Sequence, residues 1–437
     1  MAKRLAVSLL FVGLLGICLG ANAQVQIQNL CPYSGHSHSL ACLIPDATNT
    51  GDSHNLGSFN TTVAQVLGQL PLAAPVSGFV LGFDRKLGIP VEESQNLGSV
   101  LTERGNTVGK HKLFVGFTAQ RFVFHTIDGI NMRSIPEVFQ FSSTTYGANT
   151  SNLSAGLSQY TTIIAFGVSE RMDVSVTIPY ERVSLSGGYT NGQGASLAGN
   201  VYTASPASNY LAGSAHGFGD LILNVKGTVL NGEKNKFAAG LETRLPTGDE
   251  FNFLGSGALG LKPYVVFSRT GRYTPHANFG YQWNDYSYLY INPNPCNLAK
   301  TCNGTLRLPP SLDYSAGVDI GLAKWVTFVG DFVGQHYFNS PKLTTPVAAG
   351  GNVSGLPNCS SSTSGPCSNP AFATFTNLKT VGLALGGVNV DNASLGLKIR
   401  PFGHLILSAN ALIRLDNGGL RPDRFVPLVG VSYRFGK

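Results

Sequence analysis

The 437-residue sequence carries 30 Lys and Arg against 23 Asp and Glu, a formal charge of +7, and only 12% of its residues are charged. The basic residues are scattered along the chain rather than gathered into a patch, which argues against a nucleic-acid partner, and beyond the N-terminus no run approaches the roughly 18 apolar residues of a spanning helix. Gly reaches 53 residues while Met and Trp fall to 3 and 2, a composition suited to many strands and turns.

The chain opens with Lys3 and Arg4, an apolar stretch from Leu5 to Leu19, and the small-x-small pattern Ala21-Asn22-Ala23. This predicts a secretory signal peptide over 1–23 and a mature start at Gln24. Removing it takes two positive charges from +7 and leaves +5. Ile17 stands before Cys18 where a lipid-anchor signal wants a small residue. Residues 24–105 lack sustained alternation and are predicted as an N-terminal segment outside the wall, either periplasmic or a plug. Val63, Val66, Leu67 and Leu70 fall at helical spacing there, and Pro71 and Pro75 end that helix.

Six cysteines remain after processing, as the local pairs Cys31 with Cys42, Cys296 with Cys302, and Cys359 with Cys367. In an oxidising compartment such spacing reads as three loop-closing disulfides. For the first pair a tetrahedral metal site drawing on His36 and His38 is the alternative; no metal or other cofactor is assigned.

From Lys110 onward the period changes to two. Leu113, Val115, Phe117 and Ala119 alternate with Phe114, Gly116, Thr118 and Gln120, and Val429, Val431, Tyr433 and Phe435 alternate with Gly430, Ser432 and Arg434. Strands are predicted near 110–125, 157–168, 172–184, 217–230, 236–245, 257–268, 273–285, 311–322, 325–338, 388–400, 404–415 and 425–435. Short turns alternate with connections of about ten to nearly fifty residues, the asymmetry of an outer-membrane barrel whose short turns are periplasmic. Aromatics such as Tyr273, Trp283, Tyr433 and Phe435 near strand ends suit interface girdles. The fold class is therefore all-β, a transmembrane antiparallel β-barrel of about 12 strands over 106–437. Fourteen is the alternative if 77–83 and 376–387 each add one.

Alternation also sorts the charges. Asp173, Glu181, Asp220, Lys226, Glu242, Arg244, Lys262, Asp313, Asp319, Asp331, Lys398, Arg400, Arg414 and Arg434 fall on the face opposite the apolar one, as does His276. A charge facing lipid is costly, so these are candidate lumen-lining residues. Lys398, Arg400, Arg414 and Arg434 are expected to form one basic stripe. Lumen charges of both signs either pack as a cross-strand network or line a solute path.

Leu101-Thr102-Glu103-Arg104 with Gly109-Lys110, Glu170-Arg171-Met172-Asp173-Val174 leading to Ile178-Pro179-Tyr180, and Glu242-Thr243-Arg244-Leu245-Pro246-Thr247-Gly248-Asp249 with Leu254-Gly255-Ser256-Gly257 form a set of turn and strand signatures. Across residues 77–435 they resemble the outer-membrane β-barrel family of meta-pathway phenol-degradation proteins. The resemblance implies a transporter-like barrel aiding uptake of small aromatic or other hydrophobic compounds. The Cys-bearing loops look like additions to that pattern.

Enzyme signatures are poor. Gly255 to Gly260 matches G-x-G-x-x-G, but it follows a loop and opens a strand where phosphate binding needs strand, turn and helix. No G-x-S-x-G elbow occurs. His276 could meet Ser268 across a turn, yet no third group that orients the imidazole is identifiable from sequence. The chain is thus expected not to be an enzyme but an outer-membrane barrel for passive transport of small hydrophobic or aromatic solutes, with membrane lipid and the solute as its partners. Its alternatives are a surface structural or adhesion barrel with disulfide-closed extracellular loops, favoured by an occluded lumen, and less so an outer-membrane hydrolase.

Overall fold

The computed structural model describes residues 38–43, 62–63, 65–66, 81–84, 89–92, 96–142, 145–196, 201–203, 208–291, 305–344, 347–348, 379–422 and 424–435. Twelve antiparallel staves form one closed wall: β1 (Leu113–Ile127), β2 (Thr145–Ser169), β3 (Met172–Ser196), β4 (Leu221–Asn231), β5 (Asn235–Leu245), β6 (Gly260–Arg269), β7 (Tyr273–Asn284), β8 (Ser311–Ala323), β9 (Val326–Leu343), β10 (Leu383–Ile399), β11 (Leu405–Arg414) and β12 (Phe425–Phe435). The seam closes where β12 pairs with β1, from Leu428 opposite Gln120 to Phe435 opposite Leu113. Closure leaves no edge, so every stave can satisfy its backbone within the wall.

The fourteen-strand alternative is corrected on both counts. Leu81–Asp84 pairs with Ile89–Glu92 in a separate two-stranded hairpin, and of the 376–387 region Lys379–Thr380 pairs with Val347–Ala348 outside the wall while the rest of its described strand residues belong to β10, which runs unbroken from Leu383. Two staves are longer than their sequence pattern suggested: β2 and β3 each span 25 residues and pair along nearly their whole length. The lower part of β3 pairs with β4, while its upper part pairs with Ser208–Phe218. The break between those two partners falls at Gly219-Asp220, where Gly219 N–H donates to Pro179 O (2.9 Å). Pro179 has no N–H to give the ladder, and the chain turns there.

The two faces separate as the alternation requires. On β10, Leu397 is 43% exposed while Lys398 is 2% exposed. Phe117, Leu241, Val265 and Val431 are exposed on the outer face, and exposed Tyr273, Trp325, Phe402 and Phe435 ring the short-turn end. At the other end β1 turns through Asp128-Gly129, both at positive φ (50° and 81°). Asp-Gly favours such a two-residue hairpin turn.

Candidate functional site

The interior contains a segment of the chain itself. Residues 96–108 precede β1 and are buried, apart from Leu101 and Glu103 in part. They run through the short-turn half of the barrel, held by inward side chains from around the wall. Leu97 N–H donates to Thr327 Oγ1 (2.8 Å), Asn96 Nδ2 to Asp319 O (3.0 Å), Gly105 N–H to Ser268 Oγ (3.1 Å), and Val108 N–H to the Asp173 carboxylate (3.0 Å). In the other direction Thr228 Oγ1 donates to Gly105 O (2.6 Å) and Lys398 Nζ to Ser99 O. Two ion pairs add to these: Lys226 with Glu103 at 2.6 Å, and Arg104 with Asp319. Leu97 and Val108 pack with Phe114, Ile163, Ala165 and Ile406, and Val100 with Val329 and Leu428.

His276 sits at the centre of this attachment. Its Nε2 lies 2.7 Å from Thr102 Oγ1 and 2.8 Å from Asp331 Oδ1, and its Nδ1 lies 3.4 Å from Asp319 Oδ2. Gly317 makes room in the neighbouring stave, since a Cβ there would lie 2.0 Å from Asp331 Oδ1 and 2.7 Å from His276 Nε2. The orienting groups that sequence could not identify are thus Asp319 and Asp331, from β8 and β9. The hydroxyl beside the imidazole is that of Thr102; Ser268 is bonded to Gly105 instead. Donor atoms of His276, Asp319 and Asp331 all lie within 4.8 Å of one another, with Arg104 and Lys398 supplying positive charge beside them. Side chains of the His276, Asp319 and Asp331 trio are fully buried, so their evident work is to hold residues 96–108.

The long-connection half of the lumen is divided by side. On one arc Phe122, Phe124, Leu153, Leu157, Val183, Leu185, Leu412 and Val426 point inward and form a buried apolar cluster with Leu40, Leu43 and Val63 of the N-terminal region. These residues share the parity that lower down carries Thr118, Gln120 and Thr161. The opposite arc is charged: Lys262 bridges Glu242 (2.8 Å) and Asp313 (3.4 Å), all three being partly exposed, and Arg244 Nη2 donates to Asn284 Oδ1 (2.8 Å). Between the arcs the connection 246–259 folds inward. Asp220, turned in by the break beside β4, accepts from Gly248 N–H (3.1 Å), Ser256 N–H (2.8 Å) and Ser256 Oγ (2.6 Å). Phe253, Leu254 and Ala258 of that connection join the apolar cluster.

The N-terminal region reaches this half as well. Leu40 N–H donates to Asn252 Oδ1 (3.2 Å), and Ser340 Oγ donates to Gln65 Oε1 (2.9 Å). Cys42 is disulfide-bonded, which removes it from the alternative metal site. Its expected partner Cys31, His36, the other four cysteines and the signal stretch lie outside the described residues.

The remaining sequence-selected residues are dispersed. Glu181 is buried on β3 beside Gln159. Arg400 reaches the short turn at Lys324 O (3.0 Å), Arg414 reaches Thr126 Oγ1 (3.0 Å) at the opposite end, and Arg434 lies beside His404 at 3.4 Å. The expected basic stripe is therefore not formed. Strands of opposite direction carry Lys398 and Arg414 to different heights, which parity alone could not reveal.

Residues 137–350 match the model of the family described as "Putative MetA-pathway of phenol degradation". Over that stretch, the family resemblance carried by the turn and strand signatures is shown. No curated protein matches. Among solved structures, the chain is similar to an outer membrane channel from Pseudomonas putida F1 (9% identity, 76% of this chain and 99% of that one, TM-score 0.41). It is also similar to the translocator domain of autotransporter NalP from Neisseria meningitidis (12%, 75% and 89%, 0.31) and to OmpF from Salmonella typhi (8%, 75% and 98%, 0.28).

Proposed function

We propose that the chain is exported through a cleaved signal peptide to the outer membrane, and that it passes small hydrophobic or aromatic solutes passively through its barrel. The observation that carries this reading is the inner apolar wall of Phe122, Phe124, Leu157, Val183 and Leu185, set inside a closed barrel whose outer face exposes aliphatic and aromatic side chains. A polar channel has no use for phenylalanines on its inner face, whereas an apolar solute leaving water is favoured by about 25 cal/mol for each Å² it buries there. The polar grip on residues 96–108 supports a removable plug, since hydrogen bonds and ion pairs can be exchanged for water as the segment leaves.

The filled short-turn half is the observation that favours the second reading, a structural or adhesion barrel. One experiment separates them. Vesicles containing the full-length protein are exposed to a small aromatic solute such as toluene or phenol and to a sugar of similar mass. Faster entry of the aromatic than in protein-free vesicles, with no such gain for the sugar, supports transport; equal rates for both against the protein-free control would overturn it.

A further inference from the structure

A polar row stands at the foot of the apolar wall. Gln120 Nε2 donates to Gln159 Oε1 (2.6 Å), and Gln159 Nε2 donates to Glu181 Oε1 (2.9 Å), so a chain of bonds crosses β1, β2 and β3 and ends on a carboxylate. The register places Phe122, Leu157, Val183 and Ala215 in the next inward row above it. Glu181 is 3% exposed, and among the described residues its Oε2 has no hydrogen-bond partner. Among the described residues no ion pair balances it, and the charge that acts on it is a second carboxylate, Asp220. Opposite Glu181 in the ladder stands Gly217, which offers no side chain, and Leu254 of the inward connection lies 3.1 Å from where its Cβ would be.

A buried acceptor left unpaired is costly, and a site built around one rejects molecules that cannot pair with it. We propose that Glu181 receives the polar end of the transported solute, an otherwise apolar molecule carrying one hydrogen-bond donor, an ammonium or a hydroxyl. The apolar body lies along Phe122, Leu157 and Val183, and the donor meets Oε2. This rests on the transport reading and adds to it a rule for which apolar solutes are preferred.

The test uses the full-length protein in lipid nanodiscs and three probes of matched size: hexylamine, 1-hexanol and methyl pentyl ether. Calorimetric titration should find at least one donor probe binding roughly tenfold more tightly than the ether, the scale of one recovered hydrogen bond. Glu181→Gln keeps an acceptor and removes the charge; Glu181→Leu removes both, with Glu181→Met in its place should the leucine variant not insert. Amine preference lost in Glu181→Gln identifies an ammonium, and alcohol preference surviving in Glu181→Gln but lost in Glu181→Leu identifies a hydroxyl. Equal affinity of all three for the unaltered protein, or a preference untouched by Glu181→Leu, overturns the proposal and leaves apolar transport standing. Absence of any binding by the three probes overturns both.

Discussion

Asp220 and Ser256 are joined twice: the Asp220 carboxylate accepts from the Ser256 amide at 2.8 Å and from its hydroxyl at 2.6 Å. Ser256 belongs to the Leu254-Gly255-Ser256-Gly257 signature, and Asp220 to the break between β4 and the Ser208–Phe218 strand. The pair therefore ties an irregularity in the wall to the connection that narrows the lumen. Asp220→Ala should free residues 246–259 at a cost of about 1.5–3 kcal/mol for each hydrogen bond to the charged group. The barrel should still migrate as a folded species on a gel. Single-channel recording should give a larger conductance, and an unchanged one would mean that Phe253 and Leu254 hold the connection without the carboxylate.

Gly255 offers a second approach to the same contact. A Cβ there would stand 2.4 Å from Asp220 Oδ1 and 3.0 Å from the Gly248 Cα. Gly255→Ala should mimic Asp220→Ala in conductance, and the two changes together should do little more than either alone, because they break one contact.

For the buried segment 96–108, the Lys226–Glu103 pair is the point of attack. Removing one partner of a buried pair typically costs about 3–5 kcal/mol, because the other charge stays buried alone. Glu103→Gln should lower thermal stability and raise ion flux through reconstituted protein. Exchanging the two, as Glu103→Lys with Lys226→Glu, should recover most of both. Flux identical in all three forms would show residues 96–108 to be fixed by Asp173, Asp319 and His276 without this pair.

On β10 the register yields opposite outcomes for neighbours. Leu397→Lys puts a charge on the exposed outer face and should cost about 2–4 kcal/mol near the membrane midplane, less near an interface. Lys398→Leu removes the donor to Ser99 O and should loosen the segment rather than the wall, seen as faster proteolysis at 96–108 with an unchanged barrel melting temperature.

Asp128 should make the mouth at the long-connection end pH-sensitive. Burial raises its carboxyl above the ordinary 3.8, against the lowering effect of hydrogen bonds from Gly419 and Leu343 N–H and of Lys342. A group whose folded-state pKa is raised adds stability that is full below its unfolded value and lost as pH rises through the folded value. Amide exchange at Gly419 and Leu343, corrected for its intrinsic pH dependence, should therefore report a mouth that opens more readily as pH rises above about 4. Asp128→Asn should flatten that dependence.

The wall was legible because the bilayer imposes period two on every stave, and Lys398 beside Leu397 fixes register as soon as one face is known to be lipid. The extensions of β2 and β3 were not: around Ser184 and Ser186 the outward residues are small and polar while Val183 and Leu185 point inward, the reverse of the pattern that marks a lipid-facing stave. Phe122 and Phe124 sit at inward parity, but an apolar residue on the inward face departs from the apolar-out, polar-in rule, so alternation alone did not mark them. The path of 96–108 was out of reach for another reason. Thr102, Glu103 and Arg104 are each held by a different stave, with partners more than 120 residues away, and no local pattern encodes such contacts.

The seam between β12 and β1 bears on how the molecule is assembled. The hoop can close only when the last strand, ending at Phe435, meets the first, beginning at Leu113. By then residues 96–108 are already made and joined to the base of β1 through residues 109–112. The hoop can therefore close around its rod, with no step in which the rod is pushed through a finished hoop. A segment seated before closure lets Lys226, Asp319 and Lys398 find their partners while the wall is still open, so that paired charges, rather than bare ones, are what the closing barrel encloses.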